Sequence, residues 1–367
     1  MILVAFGTTG ELIKLAPVLL RLRERGHRYV LATTGQQVQQ IPTFIDQLGL
    51  PQPDLWFAHG AGGRDLATNR DIPGWLLRVG RSFTRHRARL SRHLACGPGD
   101  PLLLVHGDTM TTVIGASMGR ALRVPVAHIE GGLRSGDIRN PFPEELNRRA
   151  TSRLASIHYA PGPWAASNLH RGTVVDTGSN TIRDSLDLVP PDAGPAIDLP
   201  SEPFGIVSLH RFELLNSRAR LTETLRTLAD AATRTPLLFV DHSVTAAAIA
   251  RFGLASLFDN ERFRRIPRLR FFDFVQLERR STFVVTDSGG SQEECYYLDR
   301  PCLVHRLRTE RIEGLGENVV LSHLEVSALR AFLADPGRYC RKAALPPESP
   351  SHVIVEDLET RGYTVAF

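Results

Sequence analysis

Short apolar runs of strand length alternate along this chain with stretches whose apolar residues recur at helical spacing. The first run, Ile2 to Phe6, is followed by the glycine-containing turn Gly7 to Glu11 and then by apolar residues at helical spacing from Leu12 to Leu22. This order predicts a strand, a turn and a helix. Such a turn points backbone N–H groups and the positive end of the helix at an anion, so a phosphate or sugar contact is one candidate role.

The same alternation continues to residue 185 and predicts a doubly wound α/β domain over residues 1–185. A helix over 66–94, continuous or broken near Pro73-Gly74, is also predicted, and another helix is expected to open at 33–37. The other predicted strands of this half are Tyr29–Ala32, Leu102–Val105, Val124–Ile129, Ser156–Tyr159 and Thr173–Val175.

A proline-rich stretch with little periodicity, residues 186–203, is the predicted linker. The alternation restarts after it, which predicts a second domain over residues 204–350 and therefore an α/β chain of two Rossmann-like domains. The final segment, residues 351–367, has helical spacing and is expected to pack back on the first domain. The predicted strands of the second half are Ile206–Leu209, Leu237–Val240, Phe283–Thr286 and Cys302–His305.

Length and composition agree with two globular domains and disfavour several other classes. A chain of 367 residues exceeds one ordinary core. No apolar run reaches the roughly 18 residues that a membrane span needs, and the N-terminus lacks the basic region of a signal peptide. The four cysteines have no CxxC spacing, so neither a zinc site nor a disulfide framework is predicted, and a cytoplasmic location is expected.

The formal net charge of +5 admits anionic partners. The basic residues are arginines except for Lys14 and Lys342, and the densest basic run is Arg78 to Arg92 at helical spacing. That run is interpreted as a solvated helix face, because it lacks the interleaved aromatic residues of a nucleic-acid groove. An anionic small ligand suits the charge equally well, and neither nucleic acid nor a membrane is predicted as a partner.

Three carboxylates lie at the bends of the stretch Leu104 to Arg149. Asp108 and Glu130 each follow an apolar run, and Glu144 opens the next helix after Pro143. Because open parallel sheets bind ligands beyond the carboxyl ends of their strands, these acids are candidates for acid–base chemistry. One such acid alone would be interpreted as a helix cap. The histidines and arginines interleaved with them are His106, His128, Arg134 and Arg148.

The most specific single motif is Thr286 to Glu294, in which a strand ends, two glycines follow and a helix begins. Backbone N–H groups of Ser288, Gly289 and Gly290 are candidates to hold a diphosphate at the helix N-terminus. Glu294, further along the helix, is placed to accept both hydroxyls of a ribose. The alternative is a strand–turn–helix with a serine cap and acids that complement the helix dipole.

Further candidate residues lie at other strand ends of the second half. His210 and Arg211 follow a strand of the same predicted layer, where both are candidates to face the diphosphate and to stabilise its departure. Phe274 is a candidate to stack on a base, although a core position suits it equally well. In the first half, Lys14 draws attention because the chain otherwise uses arginine almost throughout.

Together these segments resemble the UDP-N-acetylglucosamine 2-epimerases of the non-hydrolysing bacterial type. The resemblance spans most of the chain in the family's order. It implies a glycosyltransferase-B-like fold with the ligand in an interdomain cleft, a homodimer, and conversion of UDP-GlcNAc to UDP-ManNAc without a metal or redox cofactor. The matching segments are HGDTMTT, HIEGGLRSGD, PFPEELNRR, TGSNT, HRFE, TDSGGSQEE and RTERIEG.

The resemblance also implies roles for individual residues. Gln36 and Gln39 match glutamines that contact a second, regulatory UDP-GlcNAc in bacterial members. The implied acid–base and catalytic residues are Asp108, Glu130, Glu144 and His210. The residues expected to bind the substrate or UDP are Lys14, Arg134, Arg148, Arg211, His242, Phe274, Ser288, Gly289, Gly290, Glu294 and Arg311.

Three segments depart from the family's pattern. Thr9 replaces the arginine of the usual Gly-Thr-Arg-Pro-Glu, Phe212 replaces the second arginine of His-Arg-Arg-Glu, and Pro-x-His-x-Asn-Pro has become Val240 to Thr245. Positive charge is thus lost at positions that face the ligand in the family. A different nucleotide sugar, or a hydrolysing outcome that releases UDP with free sugar or glucal, is therefore the alternative. The intact carboxylate set argues against a catalytically idle sensor.

Overall fold

The computed structural model describes residues 1–66, 68–137, 143–191, 194–195 and 197–365, and its chain forms two compact units. The first unit is Met1–Leu188 with Pro346–Phe367, and the second is Val189–Leu345. Parts of the predicted linker (192–193 and 196), of the segment PFPEELNRR (141–142) and of the predicted C-terminal helix (366–367) lie outside the described residues.

A seven-stranded parallel sheet forms the centre of the first unit. Its strands are β1 (Ile2–Phe6), β2 (Tyr29–Thr33), β3 (Leu55–Trp56), β4 (Leu102–His106), β5 (Val126–Ile129), β6 (Ile157–Ala160) and β7 (Thr173–Asp176). They pair in the order β3-β2-β1-β4-β5-β6-β7, and β1 and β4 are buried along their whole length. The strand order reverses between β1 and β4, so the loops after these strands flank a switch point, where such sheets bind ligands.

Helices follow most of these strands. The first helix begins with a capping box, in which the Thr8 side chain accepts from the Glu11 N–H and the Glu11 side chain accepts from the Thr8 N–H. The helices are α1 (Thr9–Glu24), α2 (Ile41–Gln47), α3 (Asp71–Cys96), α4 (Met110–Leu122), α5 (Glu144–Leu154), α6 (Pro163–Ser167), α7 (Ile182–Asp187) and, from the end of the chain, α14 (Pro350–Thr360). Helix α14 packs against α1 and α7.

The second unit repeats this architecture with six parallel strands. They are β8 (Gly205–Ser208), β9 (Leu237–Asp241), β10 (Phe263–Pro267), β11 (Phe283–Thr286), β12 (Cys302–Val304) and β13 (Val319–Leu321). Their order is β10-β9-β8-β11-β12-β13, so the switch point lies between β8 and β11. The helices are α8 (Phe212–Leu215), α9 (Arg218–Ala232), α10 (Ser243–Phe252), α11 (Phe271–Arg280), α12 (Gly289–Tyr297) and α13 (Val326–Ala334), with 3₁₀ turns at Ala255–Phe258 and Pro336–Tyr339.

Two sequence-based expectations for helices need adjustment. The helix expected to open at 33–37 begins only at Ile41, because β2 continues to Thr33 and the following residues form a loop. The long helix α3 is continuous, with Pro73 and Gly74 in its first turn, where proline removes an N–H that has no intrahelical partner in any case. No helix within the described ranges is long and apolar enough to cross a lipid bilayer.

Buried histidines make the stability of this fold dependent on pH. His305, after β12, is fully buried and contacts the Thr224 hydroxyl at 3.0 Å and the Ser322 hydroxyl at 2.8 Å. Burial lowers the pKa of His305 from 6.5 to about 4. As the pH falls, the unfolded chain therefore binds this proton at a higher pH than the folded protein does. The contribution of His305 to stability is complete above pH 6.5 and is lost as the pH falls towards 4.

We expect His305→Gln to reduce this acid sensitivity. At pH 5 the wild type loses about 2 kcal/mol through His305, which the neutral glutamine does not lose. The measurement is the urea midpoint at pH 7.5 and pH 5 for the wild type, the variant and His323→Gln, a change at an exposed histidine. An unchanged difference between the two pH values in His305→Gln would contradict the assignment.

Candidate functional site

The loops at the switch point of the first unit are tied together by Glu11. Its Oε2 accepts the N–H groups of Gly7 and Thr8, each at 2.9 Å, and its Oε1 accepts the Thr109 hydroxyl at 2.8 Å. The side chain is 3% exposed, and burial raises its pKa to about 7. Glu11 thus joins the turn after β1 to the loop that carries Asp108.

The N–H groups of the first turn have acceptors inside the protein. Those of Gly7 and Thr8 bond to Glu11, and both the N–H and the hydroxyl of Thr9 bond to Gln37 Oε1, at 2.9 and 3.0 Å. The sequence suggested that this turn contacts a phosphate or a sugar. Side chains from the same unit accept these three N–H groups, so a ligand would have to displace them, and the contact stays a prediction.

Glu130 follows β5 in a strained backbone conformation. Its φ of 66° lies in the left-handed region, which costs a residue other than glycine about 1–2 kcal/mol. The nearly buried carboxylate accepts the Lys14 ammonium at 2.5 Å and the Asn180 amide at 2.5 Å, with His106 Nε2 at 3.8 Å. The lysine singled out in the sequence is therefore the cationic partner of a candidate acid–base group.

Asp108 lies beside α5, the helix that Glu144 opens. The Arg148 guanidinium is hydrogen-bonded to the Asp108 carboxylate, and the Asn147 amide donates to its backbone carbonyl at 2.9 Å. The Oε2 atom of Glu144 is buried and has no hydrogen-bond partner among the described residues. The structure therefore groups Asp108 and Arg148 through α5 and places Glu144 in the first turn of that helix.

Some of the predicted ligand-binding residues of this unit have other contacts. Arg134 donates to the Leu133 carbonyl at 2.8 Å and to the Ser152 hydroxyl at 3.0 Å, so it holds its own loop to α5. Gln36 accepts from the Thr111 hydroxyl at 3.4 Å, whereas Gln39 is exposed. The two glutamines matched to a regulatory ligand thus differ in their surroundings, and that role stays a prediction.

In the second unit, Ser288 caps the helix that follows β11. Its hydroxyl accepts the Ser291 N–H, and α12 begins at Gly289. A Cβ at Gly289 would lie 2.9 Å from Glu310 Oε1, so another residue there would require the Glu310 side chain to move. The N–H groups of Gly289 and Gly290 find no acceptor among the described residues. This helix start retains the donors that an anion requires.

His210 and Arg211 lie across the switch point from Ser288. Their backbone N–H groups both donate to Asp287 Oδ2, at 2.8 and 2.7 Å. Burial and the positive charges of Arg211, Arg268 and Arg306 lower the pKa of His210 to about 4. Asp287 is fully buried, and burial raises its pKa to about 6. Asp287 was not among the site residues predicted from the sequence, although it directly follows a predicted strand.

A second histidine accompanies His210. The His242 ring lies 4.7 Å from the His210 ring between centroids, and its Nε2 contacts the Ser208 hydroxyl at 3.0 Å. Burial, followed by His210 and Arg268, lowers the pKa of His242 to about 4. Both rings are therefore neutral near pH 7 in the protein as it stands.

The remaining candidates of this unit are partly engaged with the protein. Arg311 pairs with Glu293 at 2.8 Å. Phe274 packs partly buried against an apolar cluster, which fits the core position that the sequence left open. Glu294 is nearly buried in α12. Among the described residues, no group of three His, Cys, Asp or Glu side chains is placed to hold a metal ion.

Comparison with known proteins identifies the family of the chain. Residues 91–331 match the family model described as UDP-N-acetylglucosamine 2-epimerase. The chain belongs to this epimerase family. Its curated members are isomerases, and one of them, the UDP-N-acetylglucosamine 2-epimerase of Bacillus subtilis, is 30% identical over 86% of this chain and 80% of its own.

Two further similar proteins are named for different UDP-sugars. The UDP-2,3-diacetamido-2,3-dideoxy-D-glucuronate 2-epimerase of Pseudomonas aeruginosa is 29% identical over 92% of this chain and 91% of its own. The crystal structure of UDP-GlcNAc 2-epimerase from Neisseria meningitidis bound to UDP-GlcNAc has a TM-score of 0.78 and 26% identity, covering 98% of this chain and 99% of that chain. The two Rossmann-like units are therefore of the glycosyltransferase-B-like class that the resemblance implied.

We expect Lys14→Met to destabilise the protein. Without the ammonium, the charge of the nearly buried Glu130 costs about 3 kcal/mol. The double variant with Glu130→Gln removes the charge and regains most of this loss. The measurement is the urea midpoint at pH 8, with Lys342→Met as the control at an exposed lysine. A single variant with the wild-type midpoint would contradict the pairing.

Proposed function

We propose that this protein interconverts UDP-N-acetylglucosamine and UDP-N-acetylmannosamine by inverting carbon C2 of the sugar. The observation that carries the proposal is the pair of carboxylates after β4 and β5, each with its own cationic partner, in a chain of this family. The Neisseria meningitidis structure, which has UDP-GlcNAc bound, supports the same substrate.

The chemistry requires a group that moves a proton at C2 and groups that stabilise the departing UDP. The hydrogen on C2 is not adjacent to a carbonyl carbon, so a base alone removes it with difficulty. If the C1–O bond breaks first, UDP leaves with the electron pair, and the positive character at C1 makes the C2 hydrogen acidic. Donors aimed at the departing diphosphate stabilise its charge, which is commonly the largest contribution to such a barrier.

Proton transfer at C2 is assigned to the first unit. A carboxylate takes the C2 proton, which leaves a 2-acetamidoglucal, and a proton returned to the opposite face of C2 inverts it while UDP adds back to C1. Two acid–base groups are needed for the two faces, each worth about 10²–10⁴ in rate. The candidates are Glu130, held by Lys14, Asp108, held by Arg148, and Glu144. No redox step occurs in this scheme.

The second unit is assigned to UDP. The N–H groups at the start of α12 and the His210–Arg211 turn supply positive potential for the diphosphate, as helix N-termini do for anions. Glu294 is proposed to accept the ribose hydroxyls, and Phe274 to contact the uracil. The ion pair between Arg311 and Glu293 holds the loop before β13 against α12, beside the same helix start.

The proposed reaction is tested by incubating the protein with UDP-GlcNAc in D₂O and following it by NMR. We expect deuterium at C2 and formation of UDP-ManNAc, because the proton taken from C2 exchanges with solvent before it returns. Glu130→Gln is expected to slow both processes about 10²–10⁴-fold. Absence of both deuterium and product would rule out the proposal, and accumulation of free UDP would point to the hydrolysing outcome.

A second candidate is epimerisation of a different UDP-sugar. The Pseudomonas aeruginosa relative, named for a diacetamido uronate, is 29% identical to this chain, and the Bacillus subtilis relative, named for UDP-N-acetylglucosamine, is 30% identical. Two positions of the family pattern have also lost a positive charge. Thr9 is engaged with Gln37, and Phe212, which follows Arg211 at the start of α8, is 65% exposed. Fewer cations do not favour the extra carboxylate of a uronate, so this candidate rests on the similarity of the Pseudomonas aeruginosa relative.

The choice between the two sugars is tested with both substrates and with Phe212→Arg. We expect faster C2 exchange with UDP-GlcNAc, and a fall in KM of about fivefold in Phe212→Arg, because one exposed guanidinium near a diphosphate contributes about 1 kcal/mol. Leu77→Arg adds the same charge at an exposed position of the first unit and serves as the control. Faster exchange with the diacetamido uronate would assign the chain to that substrate instead.

A further inference from the structure

Asp287 makes two kinds of contact with the turn that carries His210. Its Oδ2 accepts the backbone N–H groups of His210 and Arg211. Its Oδ1 lies 3.2 Å from Nδ1 of the His210 ring. The first contact fixes the backbone after β8 across the switch point, and the second leaves one carboxylate oxygen facing the imidazole. The two oxygens therefore have separate tasks.

The His210 ring is oriented so that its two nitrogens differ. Nδ1 is buried against Asp287, while 31% of the side chain is exposed, so the exposed part lies elsewhere on the ring. The Nδ1 and Oδ1 atoms are within ion-pair distance, although their geometry is not that of an aligned hydrogen bond.

We propose that Asp287 is a positioning residue that holds the Nδ1–H of His210 and thereby makes Nε2 the nitrogen that exchanges a proton at the bound diphosphate. This inference rests on the proposed function, because it assigns His210 to the diphosphate. A carboxylate at one imidazole nitrogen fixes the tautomer and stabilises the imidazolium form, which is how histidine is generally oriented for proton transfer.

The charges around His210 make its protonation dependent on the ligand. Asp287 after β11, His242 after β9, Arg211 at the start of α8, Arg268 after β10 and Arg306 after β12 are the titratable or charged groups that act on it. Burial, followed by the three arginines, lowers the pKa of His210 and keeps the ring neutral in the free protein. A bound diphosphate offsets their charge, so His210 takes up a proton as UDP binds, and the proton enters at Nε2.

Asp287→Asn separates the two tasks of the carboxylate. The two backbone N–H groups hold the amide oxygen of the asparagine, so its NH₂ group faces Nδ1. A donor there forces Nδ1 to become the acceptor and moves the ring proton of His210 to Nε2. The backbone of the turn stays bonded, whereas the tautomer of the ring is inverted, so a purely structural role and a positioning role give different results.

The decisive experiment compares the wild type, Asp287→Asn and His210→Gln by calorimetry and NMR, with UDP as the probe. Calorimetry at pH 7, above the pKa of Asp287 and of the terminal phosphate of UDP, in two buffers of different ionisation enthalpy measures the protons taken up on binding. We expect net uptake in the wild type and its loss in both variants. We also expect the ¹⁵N signal that is absent from His210→Gln to show Nδ1 protonated in the wild type and Nε2 protonated in Asp287→Asn.

A matched control and the turnover of the enzyme complete this test. Asp184 is a buried acid of the first unit that accepts the Ser351 N–H and the Ser349 hydroxyl, each at 2.8 Å, so Asp184→Asn tests the loss of a similar carboxylate elsewhere. It should keep wild-type proton uptake. In Asp287→Asn, kcat for C2 exchange is expected to fall about 10²–10⁴-fold with little change in KM.

Each result decides for or against the inference. Nε2 protonated in the wild type, or an unchanged tautomer and proton uptake in Asp287→Asn, would overturn it. If Asp287→Asn does not fold, the tautomer of the wild type still decides. If the wild type neither binds UDP nor exchanges C2, the proposed function fails, while the NMR result remains a separate answer about Asp287.

Discussion

Each unit depends on a buried carboxylate of its own, which accepts backbone N–H groups at the switch point of the sheet. Glu11 takes this place between β1 and β4, and Asp287 between β8 and β11. Where parallel strands diverge, the loops leave N–H groups that no strand can satisfy, and each one buried without a partner costs about 1–3 kcal/mol. A single acid that satisfies several of them fixes two loops at once, and Asp108, His210 and Arg211 lie on loops held in this way.

Burial of these acids has a cost that depends on pH. Burial raises the pKa to about 7 for Glu11 and to about 6 for Asp287. Because the unfolded chain releases these protons already near pH 4, the stability of the fold decreases as the pH rises from about 4 through those values. His128 and His158 act in the opposite direction, because burial lowers their pKa to about 3 and about 4. The effects of the two buried acids and of the two buried histidines on the pH dependence of stability therefore oppose each other between pH 4 and 7.

Much of the fold was predictable because buried parallel strands are apolar along their whole length and are followed by helical spacing. The contacts between side chains within the candidate site were not predictable. Lys14 and Glu130 are 116 residues apart, and only the pairing of β1, β4 and β5 brings them together. Glu11 was open to prediction, since Thr8 and Glu11 form the capping-box pattern at the helix start. The ligand contact of the first turn stays a prediction, and the acceptor of the Thr9 N–H was not predictable, because Gln37 lies in a different loop.

The starts of α1 and α12 show why a glycine-rich turn before a helix does not by itself indicate an anion site. In α1 the N–H groups of Gly7, Thr8 and Thr9 bond to side chains of the same unit, and an arriving anion would have to displace them. In α12 the serine cap takes only the Ser291 N–H, and the two glycines before it have no acceptor among the described residues. An arginine at position 9 would have to displace Gln37, whereas one at position 212 would enter solvent. The loss of charge at Phe212 is therefore the more readily reversed of the two departures from the family.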